Sequence, residues 1–350
     1  MHESALTAAA RQPAGGGTAP SVPAPRAPAP RWLLALGSAR AAVCLIVWLA
    51  AAVAYSFDQD ASATWSLIAP CGLTIANLLA AIAARPVFRA SPSLLAFHLC
   101  LAAIVLLIGV SRLTYFRGSA ELAQGEAFAG ALVQSEAGPL HAGGLAALRF
   151  VNDGFEIDYA AGRRRADTRN RVRWADARGQ VSEAVVGDDR PLVLGGYRFY
   201  TTPNKGFAPR LIWRAGDAAP VRGTVHLPPY PVYESAQAAQ WRPPGLERDL
   251  TLELQLDPGL IPDDAPARFR LPDHPRLMVR DGALAVPLSP GQTVALAGGT
   301  LRFEALVTWM GYRIDYDPAA PWLLAASLLA CLALGHHTMQ RWSLRPWNPT

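Results

Sequence analysis

The stretch 116–318 contains no cysteine. Disulfide cross-links and CxxC thiol chemistry are therefore excluded from it, and an ordinary hydrophobic core must hold it together. A segment of that size buries roughly 70–75% of its unfolded surface, enough for the purpose. The four cysteines of the chain, Cys44, Cys71, Cys100 and Cys331, fall one in each of four apolar runs, where a thiol serves as a small hydrophobe. Also absent are a Gly-rich phosphate loop, an HExxH pair and a nucleophile with its base, which leaves no kinase, metalloprotease or hydrolase site. The first thirty residues lack an apolar h-region; Ala-Pro-Gly sequence such as PAGGGTAPSVPAPRAPAP reads as a disordered or polyproline-like tail over 1–31, not as a cleavable signal peptide.

Charge is missing from the four apolar runs themselves, roughly 41–57, 64–84, 93–111 and 319–335. Each is close to the ~17–25 residues that cross ~30 Å of hydrocarbon, and a soluble core helix rarely stays uncharged for so long. The expected fold class is thus a polytopic α-helical membrane protein with four transmembrane helices and a large, mainly-β extracytoplasmic domain. Three spans occupy 32–115, the domain 116–318, the fourth span 319–336, and a tail 337–350. Loops rich in Lys and Arg stay cytoplasmic. Arg11, Arg26, Arg31 and Arg40 precede the first run, Arg85 and Arg89 lie between the second and third, and Arg341 and Arg345 follow the last. The connection between the first two runs carries Asp58 and Asp60 and no base. Both termini are therefore expected in the cytoplasm. Acids and bases nearly cancel in the domain, so the net charge of +5 describes the flanks and argues against a nucleic-acid partner.

Within the domain the pattern changes to alternation. Residues 148–151, 155–159, 171–174 and 250–256 set apolar side chains against charged ones at period two, as half-buried strands do. Asp153-Gly154, Gly195-Gly196, Asp257-Pro258-Gly259, Asp281-Gly282 and Gly298-Gly299 punctuate them as turns. Many short antiparallel strands predict a sandwich or related β architecture. The proline-rich stretch 227–248 predicts a long surface loop. In GGYRFY, Tyr197 and Phe199 share one face, which suits either a core or a groove for an unfolded chain.

Several pieces form a more specific set: Phe97-His98-Leu99 opening the third run, Phe116-Arg117-Gly118 at its exit with Gly125-Glu126 beyond, the strand from Gly196 to Tyr200, and Tyr316-Asp317-Pro318 leading into the last run. In order and in three-plus-one layout they resemble the ResB-like family of System II cytochrome c biogenesis proteins, over about residues 40–338. Thr201 stands where the family commonly has Gln, Ala319 where it has Gly, and the domain is compact for the family. The resemblance implies a bacterial inner-membrane, multi-pass subunit that works with a ResC or CcsA-like multi-span partner. Together they would move haem outward and present it with apocytochrome c for covalent attachment to CxxCH. It implies haem b as a transient cofactor shared with the partner, and no catalytic residue in this chain alone. The chain's scattered tryptophans do not form the Trp-rich segment expected of the partner; Trp32, Trp65, Trp322 and Trp342 suit interfacial contact with membrane lipid.

His98 is the leading ligand candidate. A titratable ring inside a span is costly unless it faces the bundle or holds a ligand, and a neutral imidazole nitrogen ligates haem iron; the alternative is a histidine bonded to a neighbouring helix. His336 and His337, at the far end of the fourth run, are candidates for a second ligand or for a helix-end role. Arg112 and Arg117 suit haem propionates, or else snorkelling toward headgroups. The competing functional reading is a non-catalytic membrane scaffold that presents a β domain to an external partner; a weaker third is a transporter component for another cofactor or metal.

Overall fold

A computed structural model describes residues 30–57, 64–176, 178–233, 237–256 and 260–343. The tail 1–29, Asp58, Asp60, the 257–259 turn and Arg345 lie outside the described residues. A short helix, α1 (Arg31–Leu36), precedes α2 (Ala39–Phe57), α3 (Thr64–Ala84), a five-residue α4 (Pro86–Ala90), α5 (Pro92–Thr114) and, after the domain, α6 (Ala320–Ser343). The helices α2, α3, α5 and α6 are long and apolar enough to cross a membrane. Two of these helices run past the apolar runs that mark them in the sequence. Arg112 is helical because α5 runs to Thr114. The fourth helix continues past Gly335 to Ser343, so His336 and His337 are both helical; nothing in HHTMQRWS breaks a helix.

Helix ends follow local chemistry. Arg85 is extended before Pro86, which stops α3, and Pro92 opens α5 at a position where the missing N–H costs nothing. Among the polar side chains of α3, Asn77 is buried. Its amide donates to the carbonyls of Leu36 and Ser38, while Arg85 donates to that of Gly37 at 3.1 Å. Three carbonyls left over at the end of α1 are thereby satisfied. Gly37 is required at this elbow, since a Cβ there would lie 2.6 Å from the Ala81 backbone nitrogen.

The domain is built of antiparallel sheets. The largest has at its centre two long strands, β8 (Tyr197–Ala215) and β16 (Gly299–Tyr316), paired over most of their length. β16 also takes β1 (Phe116–Ala123), which takes β3 (Gln134–Ala137); β8 also takes β7 (Leu192–Leu194) and β9 (Val221–Thr224), and β15 (Thr293–Leu296) pairs with the start of β16. A second sheet orders β12 (Ala267–Arg268), β4 (Phe150–Ala160), β5 (Arg164–Ala175) and β6 (Val181–Val186), with β2 (Ala127–Phe128) on β4. A third orders β10 (Ala238–Trp241), β11 (Leu250–Gln255), β13 (Arg276–Asp281) and β14 (Leu284–Leu288). One hydrophobic core joins all three, with Phe199, Phe303 and Tyr312 from the first, Phe150, Ile157 and Val172 from the second, and Leu252, Leu277 and Val279 from the third.

A buried polar network ties the first two sheets. Tyr312 donates to Asn170 Oδ1 at 2.6 Å; the Asn170 amide donates to Asn152 Oδ1 at 2.7 Å and to the Gly154 carbonyl at 2.9 Å; the Asn152 amide donates to the Leu122 carbonyl at 2.9 Å. Each amide finds partners for both its ends, the condition under which such a network is stabilising.

Two sequence expectations change. Asp153-Gly154 is not a turn: it is a bulge within the continuous strand β4, with Gly154 at φ +104 and the register slipping between Asn152 and Gly154. One extra residue in a strand leaves the same Asp-Gly signature as a hairpin loop. The 227–248 stretch is not simply a surface loop. Leu227 and Tyr230 are buried, their N–H groups donate to the Phe207 and Lys205 carbonyls at 3.0 and 2.9 Å, and β10 follows. The prolines between take positions of this irregular edge where no N–H is needed. Tyr197 and Phe199 are core residues.

Candidate functional site

The residues singled out in sequence fall at the two opposite ends of the helix bundle. At one end, His98 is half-buried on α5. Its Nδ1 lies 2.9 Å from the Leu94 carbonyl one turn back; a carbonyl only accepts, so Nδ1 carries the proton. In the neutral ring the lone pair is therefore on Nε2, the tautomer that backbone-oriented metal-binding imidazoles use. Phe88 of α4 and Phe97 hold the ring edge-on at centroid distances of 4.6 and 5.3 Å.

His337 comes to the same end. Its Nδ1 is 3.1 Å from the hydroxyl of Ser91, the extended N-cap residue of α5, seven residues before His98. His336 points elsewhere, exposed, with Gln340 3.4 Å away. No cluster of three or more His, Cys, Asp or Glu with metal-binding proximity occurs among the described residues. The end thus offers one oriented imidazole, with a second histidine held at the start of the same helix.

Arg112 belongs to the opposite end, fourteen residues or about 21 Å along α5. There the spans meet the domain in a seam that draws together three of the pieces noted in sequence. Phe116 pairs in register with Tyr316. The Tyr197 ring lies 4.7 Å from that of Tyr316, and a Cβ on Gly196 would approach Tyr316 to 3.0 Å. The Gly125-Glu126 pair is at the far end of β1, where Glu126 accepts from the Ala123 N–H at 3.0 Å and from the Thr224 hydroxyl.

Residues without a sequence signal complete the seam. The last carbonyls of α5 are capped by the domain: Leu140 N–H donates to Leu113 at 2.8 Å, His141 Nδ1 to Thr114 at 3.0 Å, and Gly138 N–H to Tyr115 at 2.9 Å. His141 Nε2 is 2.7 Å from the Tyr197 hydroxyl. Arg112 donates to the Tyr115 hydroxyl at 3.0 Å and lies 3.6 Å from the Glu136 carboxylate, to which Tyr115 in turn donates. Burial pushes the Tyr115 phenol up to about 12, the Glu136 carboxylate adding to the effect and Arg112 opposing it. Asp317 accepts from the Ser111 hydroxyl and from the Ala319 N–H, both at 2.9 Å, joining α5 to the start of α6. Of these, Arg112 and Asp317, the latter within Tyr316-Asp317-Pro318, are singled out in the sequence; Glu136 arrives by the pairing of β3 with β1, and His141 in the irregular segment after β3.

No family model matches the chain, and no curated protein matches it.

Proposed function

We propose that this chain is a ResB-like subunit of a System II cytochrome c maturation complex in the bacterial inner membrane. Its termini are cytoplasmic and its β domain is outside. A ResC or CcsA-like partner shares the passage of haem b, which is cargo here, toward apocytochrome c. The observation that carries the reading is His98: its proton is committed to Leu94, its ring is held by Phe88 and Phe97, and its Nε2 is left as a neutral donor suited to an axial position on haem iron. The single oriented imidazole agrees with a half-site completed by the partner. His337 lies at the same end of the bundle, bonded to Ser91 through Nδ1, and Arg112, at the other end of α5, serves the seam.

The test is His98→Ala in the full chain purified with and without the partner. Expression and partner binding should persist while co-purified haem, read by its reduced-minus-oxidised spectrum, falls, and added imidazole should restore part of the cytochrome yield. Full haem content and full yield would make His98 a packing residue. The competing scaffold reading is favoured by the capped, hydrogen-bonded seam, which sets the domain rigidly on α5; it requires His98→Ala to leave maturation untouched. Sidedness is tested by a reporter active only outside the cytoplasm, which should work in the exposed turn at Ala218 and fail after Thr350. The opposite pattern would invert the orientation.

A further inference from the structure

Beneath the seam is a cavity of about 500 Å³, within the ~300–1,000 Å³ typical of small-molecule sites. Its walls are of two kinds. Val53 of α2, Leu67 of α3, Ile108 of α5 and Leu323 of α6 make an apolar side from four spans. Ser111, Arg112 and Arg117, with the carboxylates of Glu136, Asp315 and Asp317, make a polar side against the domain.

The charges on the polar side are unequally committed. Glu136 is taken by Tyr115 and Arg112. Asp315 is bound by Arg313 at 2.9 Å, and Asp317 by Ser111 and the Ala319 N–H. Arg117 is exposed, with its guanidinium over the Tyr115 ring at 5.7 Å; its register partners on the flanking strands are Glu136 and Asp315, whose carboxylates are engaged by Arg112 and Arg313. The cavity therefore presents an apolar side built from four helices and, on its polar side, one exposed planar cation whose neighbouring carboxylates are each held by another arginine. That combination recognises an amphiphile with an anionic head, and a guanidinium is suited to a phosphate's paired oxygens. Haem ligated at His98 lies about 20 Å or more away along α5 and does not reach it.

We propose that the cavity holds one anionic phospholipid of the surrounding bilayer, its phosphodiester against Arg117 and its first acyl carbons among Val53, Leu67, Ile108 and Leu323. The lipid would fill the joint between spans and domain.

The full chain, delipidated in detergent, should be titrated with phosphatidylglycerol and, separately, with phosphatidylcholine, and the bound lipid read by native mass spectrometry. One phosphatidylglycerol is expected to be retained in preference to phosphatidylcholine. Arg117→Gln, at an exposed position, should lower that retention roughly tenfold, the loss of a charge-assisted contact, and Arg117→Lys should restore part of it. Leu323→Trp, which fills the apolar side, should lower retention of both lipids. Equal retention by wild type and Arg117→Gln, or equal binding of the two lipids, would overturn the proposal. So would displacement of phosphatidylglycerol by equimolar haemin or inorganic phosphate, each of which would assign the cavity to that ligand.

Discussion

Lys205→Met should stabilise the domain at neutral pH. Lys205 is the only lysine among the 32 basic residues of the chain, and it is 4% exposed in the middle of β8. Its ammonium donates to the Pro203 carbonyl at 3.2 Å and stands 6.0 Å over the Tyr159 ring. Burial pushes its pKa down from 10.5 to about 8; Arg165 lowers it further and Asp188 opposes. Below pH 8 the amine is charged in both states, and the folded state bears the cost of burying that charge. Between about 8 and 10.5 the unfolded chain binds the extra proton, so stability must rise with pH there. At 1.36 kcal/mol per pH unit the gap is worth about 3 kcal/mol. Methionine has a similar shape and no charge, and the Pro203 carbonyl stays within reach of water because Pro203 is exposed. The variant should therefore gain up to about 3 kcal/mol at pH 7, about 1 M or more in urea midpoint, and the gain should shrink at pH 9.5. Fluorescence of the buried Trp213 and Trp309 in the full chain in detergent reads the transition. Staying below pH 10 avoids Tyr115 and Tyr159, whose phenols are pushed up to about 12 and which cost stability as pH rises from 10 toward that value. A variant no more stable than wild type at pH 7, or a wild type indifferent to pH between 7 and 9.5, would refute the reasoning.

Two further substitutions probe the network and the seam. Tyr312→Phe removes the hydroxyl that donates to Asn170 and leaves a buried amide oxygen without that donor, so it should cost about 1–3 kcal/mol in the same urea assay; an unchanged midpoint would show that the network carries no stability. Asp317→Ala deletes the bonds from the Ala319 N–H, just before α6, and from the Ser111 hydroxyl, costing about 1–2 kcal/mol, and should speed proteolysis at 317–319 in the detergent-solubilised chain. Wild-type cleavage kinetics would show that the seam does not depend on it.

Much of the architecture was written in local pattern. Uncharged runs of membrane length and period-two alternation are properties of a few neighbouring residues, so the four long helices and the β nature of 116–318 were legible without coordinates, as were the Gly195-Gly196 hairpin and the core side of Tyr197 and Phe199 as one of two readings. Those signals fail where two structures share one signature: Asp153-Gly154 suits a hairpin and a bulge alike, and a proline-rich stretch can edge a strand as well as loop over it. His98 was visible as a titratable residue in an apolar run, but its tautomer required the position of Leu94. The rest was decided by contacts between distant parts of the chain. Phe116 meets Tyr316, Glu136 meets Arg112, Asn77 meets the carbonyls at the end of α1, and the only lysine is driven into the core because β8 carries it between sheets. Sequence alone could set which segments bury apolar surface, since that free energy is local; which polar groups are then shut in together depends on strand register and helix packing, and only the tertiary structure decides it.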